Sequence, residues 1–277
     1  MGNNLYIIGS NGFIGSHLKK AVNCKQLFCI NRNQNRNLDN NVFANLPKKV
    51  EEGSKCFLLA SITGAKQCDM NRELTKKTNI ELVKRVCDLG FEKIVFTSTT
   101  SVYGNSNNFS SEESAVQPTS YYTETKLIAE EIILSANTNY VVGRLSIVVG
   151  VSPKMTWEPL LHQLIKHGIE GEKNNIINME NYRPIYSLRS TSHALIEIMN
   201  KDWFNGQVIN IGNTKNNYSK FQLVNMVKKQ IPTLTYLFQD GNDVRNYKVS
   251  FKKLEQHFNC PDKISISIKE LIKEANK

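Results

Sequence analysis

A glycine-rich turn near the start of the chain limits most strongly what this sequence can fold into. The apolar run Leu5–Ile8 leads directly into the segment GSNGFIG, which holds Gly9, Gly12 and Gly15, and a helical pattern continues from Ser16. Glycines leave no Cβ between the backbone and an approaching anion, and the start of a helix directs N–H groups toward it. Strand, turn and helix occur in the order of a dinucleotide-binding unit, although GxxGxxG differs from the commoner GxGxxG. We therefore predict a bound dinucleotide here, with an ordinary tight turn as the alternative.

The first half of the chain alternates short apolar runs with helical patterns. The runs suited to buried parallel strands are Leu5–Ile8, Leu27–Ile30, Cys56–Ala60, Ile94–Ser98 and Tyr140–Leu145. Helical periodicity lies between several of them, at Ile14–Val22, Leu74–Leu89 and Tyr122–Leu134. This alternation predicts βαβ units and an α/β fold with a doubly wound parallel sheet, whose ligands bind at the carboxyl ends of the strands.

After Gly150 the alternation becomes irregular. Helices are expected at Trp157–His167 and Tyr218–Gln230, and a strand at Val208–Ile211. We therefore expect two parts. Residues 1–150 form a dinucleotide-binding Rossmann domain, to which the late strand near 205–212 returns, and residues 151–277 form mostly a smaller C-terminal lobe that binds the substrate.

Length and composition narrow the class of protein further. The chain has 277 residues, 40% apolar and 22% charged, which is close to the average for soluble globular proteins. Its most apolar stretch, Tyr140–Val151, is short and is interrupted by Arg144, so we expect no membrane association. Because the first strand begins within a few residues of the start, the sequence shows no signal peptide, and we expect a cytoplasmic protein.

The charged residues and cysteines indicate neither nucleic acid nor a metal. The net charge is +10, but the lysines are dispersed and no aromatic residues interleave with them. We interpret this charge as a solvated surface that also attracts phosphate-bearing ligands, and we expect no nucleic-acid partner. The six cysteines show no CxxC pair and no histidine at a ligand spacing, so we interpret them as reduced packing residues.

A cluster of hydroxyl groups and a tyrosine–lysine pair are the candidate catalytic features. The segment TSTTSVYG, residues 97–104, follows the strand at Ile94–Ser98, and Tyr122 precedes Lys126 by four positions on a predicted helix. Residues four apart share one helix face, so the ammonium can lie near the phenol oxygen and lower the pKa of the tyrosine. Such a tyrosine can donate or accept a proton near neutral pH. The pair is weak evidence alone, because one such spacing is expected by chance.

Several motifs together resemble one family. In chain order they are GSNGFIGSHL, Leu59-Ala60-Ser61, TSTTSVYG, the segment PTSYYTETK that ends at Lys126, and Gly143-Arg144-Leu145 before Val149-Gly150. This series resembles the extended short-chain dehydrogenase/reductases, the NAD-dependent epimerase/dehydratase enzymes that modify nucleotide sugars. A weaker similarity continues through Arg183–Tyr186, Asn210–Gly212 and Asp243–Tyr247, so the resemblance covers nearly the whole chain.

The resemblance implies roles for individual residues. Tyr122 would be the acid/base, Lys126 its partner and a ligand of the nicotinamide ribose, and Thr99 a hydrogen-bond partner of the reacting sugar oxygen. The implied cofactor contacts are Gly9, Asn11, Gly12, Phe13, Ile14, Gly15, Asn31, Arg32, Ala60, Ser61 and Ser98, together with Tyr122 and Lys126. The implied substrate contacts are Thr99, Ser101, Arg183 and Arg245, of which the two arginines would hold the nucleotide diphosphate. Surface ion pairing is the alternative for these arginines.

The sequence also departs from the family pattern. Ile147 stands where many sugar-nucleotide epimerases carry an asparagine that anchors the substrate, and Arg189-Ser190 stand where paired acids are usual. Asn79 fits a family position on the helix behind the active site, but it is equally well an ordinary polar residue of a helix surface. These departures weaken the inference about the substrate and leave the expected chemistry intact.

The cofactor and the reaction remain open between named alternatives. At the end of the second strand, Arg32 beside the neutral Asn31 favours a 2′-phosphate, so we expect NADP, with NAD as the alternative. The first hypothesis is a reductase of the C4 keto group of a nucleotide-linked 4-keto-6-deoxy sugar, with Tyr122 as proton donor. The alternatives are a nucleotide-hexose 4-epimerase with tightly bound NAD and a non-catalytic dinucleotide-binding regulator. The resemblance also implies a homodimer.

Overall fold

The computed structural model describes residues 4–32, 45–243, 245–258, 260 and 262–277. The chain divides into two compact units. The first contains the described residues of Met1–Val102, Pro118–Arg144 and Ser192–Ile209. The second contains those of Tyr103–Gln117, Leu145–Thr191 and Asn210–Lys277. The chain therefore crosses between the units several times.

A six-stranded sheet forms the centre of the first unit. Its strands are β1 (Asn4–Ile8), β2 (Gln26–Ile30), β3 (Lys55–Leu58), β4 (Lys93–Thr99), β6 (Asn139–Leu145) and β10 (Gln207–Ile211), in the order β10-β6-β4-β3-β1-β2. Strand β1 pairs in parallel with both β2 and β3, and β3 pairs in parallel with β4. From β1 the chain adds β2 on one side and then returns to add β3 on the other side, so the strand order reverses between β1 and β3. This arrangement confirms the predicted doubly wound α/β fold.

In its described residues, five complete helices and most of a sixth accompany these strands in the first unit. They are α1 (Phe13–Ala21), α2 (Ala65–Met70), α3 (Arg72–Lys76), α4 (Leu82–Cys87) and α5 (Tyr121–Leu134), and α7 (Leu188–Asn200) enters the unit from Ser192 onward. The helix predicted at Leu74–Leu89 is interrupted by a wider π-helical turn at Lys77–Glu81. The apolar core combines sheet residues such as Ile8, Leu58 and Phe96 with helix residues such as Val83.

The second unit contains short strands and four helices in its described residues. The strands are β5 (Phe109–Ser110), β7 (Ile147–Val149), β8 (Lys173–Ile177), β9 (Tyr182–Ser187), β11 (Asn217–Ser219), β12 (Thr235–Gln239) and β13 (Lys248–Val249), and the helices are α6 (Leu160–Glu170), α8 (Lys220–Lys228), α9 (Lys252–Glu255) and α10 (Ile264–Ala275). Strand β9 lies between β7 and β11, and β12 pairs with β8 and β13 with β5. Leu161, Val224 and Leu271 belong to its core.

Candidate functional site

The glycine-rich turn closes the carboxyl end of β1 against that of β3. Gly9 has φ +96°, and its N–H donates to the Ile30 carbonyl at 2.7 Å. A Cβ on Gly9 would lie 2.7 Å from the backbone nitrogen of Ala60, and a Cβ on Gly15 would lie 2.2 Å from the carbonyl oxygen of Gly9. The N–H groups of Leu59 and Ala60 both donate to the Ile8 carbonyl at 2.9 Å. These contacts require glycine at two positions and bring the turn and Ala60 together where the strand order reverses.

Gly12 has a different environment from its two neighbouring glycines. It precedes the first residue of α1, whose start has no side-chain cap, and a Cβ there would meet only the Gly9 carbonyl oxygen, at 3.2 Å. The first N–H groups of a helix lack intrahelical partners and attract anions, as does the helix dipole. We call the turn Gly9–Gly15 the glycine cradle. It fits a pyrophosphate, because Gly12 has no Cβ that would block the approach of the anion to the first turn of α1.

The side chain of Asn31 braces this turn. Its Oδ1 accepts from the Asn11 N–H at 2.7 Å, and its Nδ2 donates to the Ser10 hydroxyl at 2.8 Å. Arg32 is exposed, and residues 33–44 after it lie outside the described part of the chain. Asn31 thus contributes to the shape of the turn, and Arg32 is the exposed side chain of this pair.

Helix α5 positions the tyrosine and the lysine. A capping box starts it: the Ser120 hydroxyl accepts from the Thr123 N–H at 3.3 Å, and the Thr123 hydroxyl accepts from the Ser120 N–H at 3.1 Å. This fixes the first turn of α5, so Tyr122 and Lys126 lie on one face of the helix. Tyr122 is half-buried, whereas Lys126 is only 2% exposed.

Burial sets the chemistry of Lys126. Its ammonium lies 4.2 Å from the centre of the Phe96 ring on β4. Burial lowers the pKa of Lys126 to about 7, and the carboxylate of Glu130 acts in the opposite direction. A lysine with such a pKa can exchange its proton near neutral pH, which suits a residue that controls the protonation of a neighbouring phenol.

The predicted hydroxyl cluster lies at the carboxyl end of β4. Ser98 and Thr99 occupy opposite faces of the strand, since side chains alternate along it. The buried Ser98 hydroxyl donates to Glu130 on α5. The Thr99 hydroxyl accepts from the N–H of Ser101, at 3.1 Å, and Ser101 is half-buried. Thr99 and Ser101 therefore form one local turn, while Ser98 belongs to a contact with α5.

Asn79 connects the loop after β3 with α5. Its Oδ1 accepts from the Ser61 hydroxyl at 3.1 Å and from the Ile62 N–H at 2.8 Å. Its Nδ2 donates to the Ile62 carbonyl and to the Thr125 hydroxyl, both at 3.0 Å. Asn79 is buried, so the structure decides against a residue of an ordinary helix surface. The loop that carries Ala60 and Ser61 is thereby fixed beside the residue that precedes Lys126.

A second cluster of charges lies in the second unit. Asp243 accepts from Arg183 at 2.8 Å, from Lys220 at 2.6 Å and from Arg245 at 2.9 Å. Burial alone would raise the pKa of Asp243, but these three cations hold it well below its usual range. The guanidinium of the buried Arg183 also donates to the Tyr182 and Arg245 carbonyls, whereas the side chain of Arg245 is 54% exposed. Of the two predicted arginines, Arg245 is therefore the accessible one.

Comparison with known proteins assigns the family. The profile of the NAD dependent epimerase/dehydratase family matches residues 5–212. The chain belongs to this family. A Bacillus subtilis protein described as an uncharacterized UDP-glucose epimerase, YtcB, is 24% identical, and the match covers 75% of this chain and 76% of that protein.

Solved structures of similar fold extend over almost the entire chain. MoeE5 in complex with UDP-glucose and NAD has a TM-score of 0.82 at 21% identity, covering 99% of this chain and 98% of that one. The UDP-glucuronic acid 4-epimerase from Bacillus cereus, in complex with UDP-glucuronic acid and NAD, has a TM-score of 0.82 at 18% identity over 99% of each chain. The UDP-N-acetylglucosamine 4-epimerase from Methanobrevibacter ruminantium M1 has a TM-score of 0.81 at 21% identity, covering 98% and 97%. These likenesses show the fold.

A carboxylate from a later segment of the chain lies beside Arg189-Ser190, where the sequence lacks the paired acids of the family pattern. Asp262 accepts from the Ser187 N–H at 3.1 Å, from the Ser190 hydroxyl at 2.9 Å and from Asn216 Nδ2 at 3.0 Å. A carboxylate from a later segment thus holds the start of α7. Ile147, in place of the expected asparagine, begins β7 and is half-buried.

The described part of the chain contains neither a candidate metal site nor a helix that could span a membrane. Within the described ranges, no group of three or more His, Cys, Asp or Glu side chains is placed to hold a metal ion. Among the helices of those same ranges, none has the length and apolar character needed to cross a bilayer.

Proposed function

We propose that this protein is a nucleotide-sugar 4-epimerase that keeps NAD bound throughout its cycle. The observation that carries the proposal is the arrangement of the first unit, where a glycine cradle lies at the reversal of strand order and Tyr122 and Lys126 share one face of α5. The names of the relatives, which are UDP-sugar epimerases, support this alternative better than the expected reductase. The reductase is the second candidate. It is favoured by Arg32, whose guanidinium suits the 2′-phosphate of NADP.

The described residues suit a nicotinamide dinucleotide. Gly9, Gly12 and Gly15 would admit the pyrophosphate to the start of α1, with Asn11, Phe13 and Ile14 completing the turn. Ala60 and Ser61 would line the ribose side of the cofactor, and Ser98 would lie beside the nicotinamide. Asn79 holds Ser61 in place, and Glu130 holds Ser98. When bound, the cofactor supplies a hydride acceptor and donor, and the protein supplies position and charge.

The protein's own groups would manage the proton. Tyr122, as the phenolate, would take the proton from the sugar hydroxyl at C4, and the resulting phenol would return it after the sugar has presented its other face. The Lys126 ammonium would stabilise the phenolate and bind the ribose hydroxyls. The Thr99 hydroxyl would hydrogen-bond the reacting oxygen. Since a regulator that only binds a dinucleotide needs no such set, these residues favour an enzyme.

We propose NAD as the resident cofactor, because MoeE5 and the Bacillus cereus epimerase are both similar to this chain and are bound to NAD in their structures. The NADP expectation rests on Arg32 alone. Asn31, its neighbour, is engaged in the turn and does not contribute to the choice. NADP therefore remains a prediction, and the relative affinities for NADP and NAD test it directly.

We further assign the first unit to the cofactor and the second unit to the nucleotide sugar. In the second unit, Arg245 would bind the diphosphate, while Arg183 and Lys220 would add positive charge behind it and Asp243 would hold all three cations in place. The cluster carries three positive charges and one negative charge, so it attracts an anion.

The decisive experiment is an assay for conversion without net redox change. The purified protein is denatured and its supernatant analysed for NAD and NADP. The intact protein is then incubated with UDP-glucose, UDP-glucuronic acid and UDP-N-acetylglucosamine in turn, and the C4 epimers are separated by chromatography. We expect co-purified NAD, one converted substrate and no change in absorbance from reduced nicotinamide. Consumption of NADPH with a 4-keto sugar nucleotide would instead establish the reductase.

The cytoplasmic location and the homodimer remain predictions. Ile128 and Leu134 on α5 are exposed apolar residues, which supports the use of this helix in self-association. Light scattering of the purified protein measures the oligomeric state.

A further inference from the structure

A buried carboxylate lies directly behind the tyrosine–lysine pair. Glu130 is one helical turn after Lys126 on α5 and is only 3% exposed. It accepts a hydrogen bond from the hydroxyl group of Ser98 on β4. Arg144 on β6 donates to it through Nε, at 3.2 Å to each carboxylate oxygen, and through a terminal nitrogen at 2.7 Å. Three elements of the first unit therefore meet at one carboxylate.

This ion pair needs an explanation other than stability. Two charges withdrawn from water lose hydration that their attraction barely restores, and apolar residues of similar volume stabilise such positions equally well. The Glu130 carboxylate is fully engaged by a hydroxyl and a guanidinium, which is the geometry that makes a buried charge tolerable. The position therefore indicates a role in the neighbouring chemistry.

The first consequence concerns Ser98. A serine hydroxyl has one proton to donate and two lone pairs that accept. Because the Ser98 hydroxyl donates its hydrogen bond to Glu130, only its lone pairs remain to interact with a ligand. Ser98 can therefore bind an N–H or O–H group of a ligand, and it cannot donate to a ligand carbonyl while this contact persists.

The second consequence concerns the proton on Lys126. Burial disfavours the ammonium, and Glu130 favours it, which together leave the pKa of Lys126 at about 7. Among the described residues, the other groups that act on this ammonium are the Phe96 ring from β4 and the Cys68 thiol from α2, with the Arg144 cation beyond Glu130. Glu130 is therefore the carboxylate that opposes the effect of burial.

We propose that Glu130 is a positioning residue for the catalytic pair, which holds the proton on Lys126 and fixes Ser98 as a hydrogen-bond acceptor. The inference rests on the proposed function, because it assigns Glu130 a part in keeping Lys126 charged beside the Tyr122 phenol. It acts through Lys126 and Ser98 and touches neither cofactor nor substrate.

A double-mutant cycle tests the link to Lys126 without any turnover. The unfolding of the cofactor-free wild type, Glu130→Gln, Lys126→Met and the double variant is measured at pH 6 and at pH 9. At pH 6 we expect the Glu130–Lys126 pair to favour folding by roughly ten- to hundredfold in the unfolding equilibrium constant, because opposite charges one helical turn apart shift a pKa by about one to two units. At pH 9, where Lys126 is neutral, this factor should be close to one. Coupling that is absent or equal at both pH values would overturn the proposal.

The control is the adjacent carboxylate on the same helix. Glu131 is exposed, so Glu131→Gln makes the same chemical change without touching Lys126 and should show no coupling at either pH. If Glu130→Gln does not fold because Arg144 loses its counter-charge, the cycle is repeated with Arg144→Met in all four proteins. The prediction for the coupling is the same in that background.

Two measurements on the cofactor-loaded protein complete the test. Glu130→Gln should move the alkaline limb of the kcat profile to lower pH by about one unit or more, with KM within roughly twofold of wild type, and Glu130→Asp should restore the limb in part. Ser98→Ala should weaken NAD binding by roughly three- to tenfold and leave that limb in place. An unmoved limb in Glu130→Gln, or full NAD affinity in Ser98→Ala, would contradict the proposal. If wild type lacks epimerase activity altogether, the proposed function fails, whereas the unfolding cycle still decides the role of Glu130.

Discussion

Two glycines of the first turn should fail in different ways when each is replaced by alanine. The Cβ of Gly15→Ala would lie 2.2 Å from the Gly9 carbonyl oxygen and 2.8 Å from the Cα of Ser10, so the backbone itself must move. Overpacking against backbone costs about 3 kcal/mol or more. At roughly 2–4 °C per kcal/mol, the melting temperature should fall by roughly 6–12 °C.

Gly12→Ala should leave the fold nearly intact and weaken cofactor binding strongly. Its Cβ meets only one atom, at 3.2 Å, and alanine before the first residue of a helix costs about 1 kcal/mol. However, the methyl group would stand between a pyrophosphate and the first turn of α1. The loss of two charge-assisted hydrogen bonds, each about 1.5 kcal/mol, weakens NAD binding by roughly a hundredfold.

Thermal unfolding with and without NAD separates the two effects. Wild type and Gly15→Ala should both be stabilised by excess NAD, from different starting temperatures, whereas Gly12→Ala should start near wild type and gain almost nothing. Titration calorimetry supplies the affinities. The reasoning is refuted if Gly12→Ala binds NAD as tightly as wild type, or if it unfolds as early as Gly15→Ala.

Three further outcomes are expected. Tyr122→Phe should lower kcat by roughly 10²- to 10⁴-fold and leave NAD affinity unchanged by calorimetry, since it removes only the proton-carrying hydroxyl; full turnover would exclude the acid/base role. Arg32→Ala should weaken NADP binding more than NAD binding, and equal effects in parallel titrations would remove the case for a 2′-phosphate contact. The pKa of Lys126 is lowered from its value in the unfolded chain to about 7, so the unfolded state binds more protons above that pH and stability gains with pH from about 7 toward 10. Lys126→Met should reduce this gain in urea unfolding series, and an unchanged series would contradict the assigned pKa.

The strands of the first unit could be predicted from the sequence because they are continuous apolar runs. The runs at Leu5–Ile8 and Leu27–Ile30 correspond to β1 and β2, and the glycine spacing predicts the turn between β1 and α1. The interruption at Lys77–Glu81 was not predicted, since the same apolar spacing continues through it. A hydrophobic period reports which face is buried and does not report a local widening of the helix.

The second unit was predicted much less completely. Strands such as β7 and β13 contain three and two residues, too few to show alternation, and they exist because neighbouring strands supply their hydrogen bonds. The contacts of Asn79, Glu130 and Asp262 were also missed as a group, although each residue is visible in the sequence. Their partners lie as far as 75 positions away, so only the folded chain brings them together.

The bracing role of Asn31 has a consequence for redesigning cofactor preference. A common strategy places an acidic residue at the end of the second strand to favour the unphosphorylated ribose. Here Asn31→Asp would keep an acceptor for Asn11 and would accept from the Ser10 hydroxyl in place of donating to it, so it would add a negative charge inside the turn that we propose for the pyrophosphate. Redesign of cofactor preference therefore belongs at Arg32, whose exposed side chain can be exchanged without changing the hydrogen bonds that Asn31 makes within the turn.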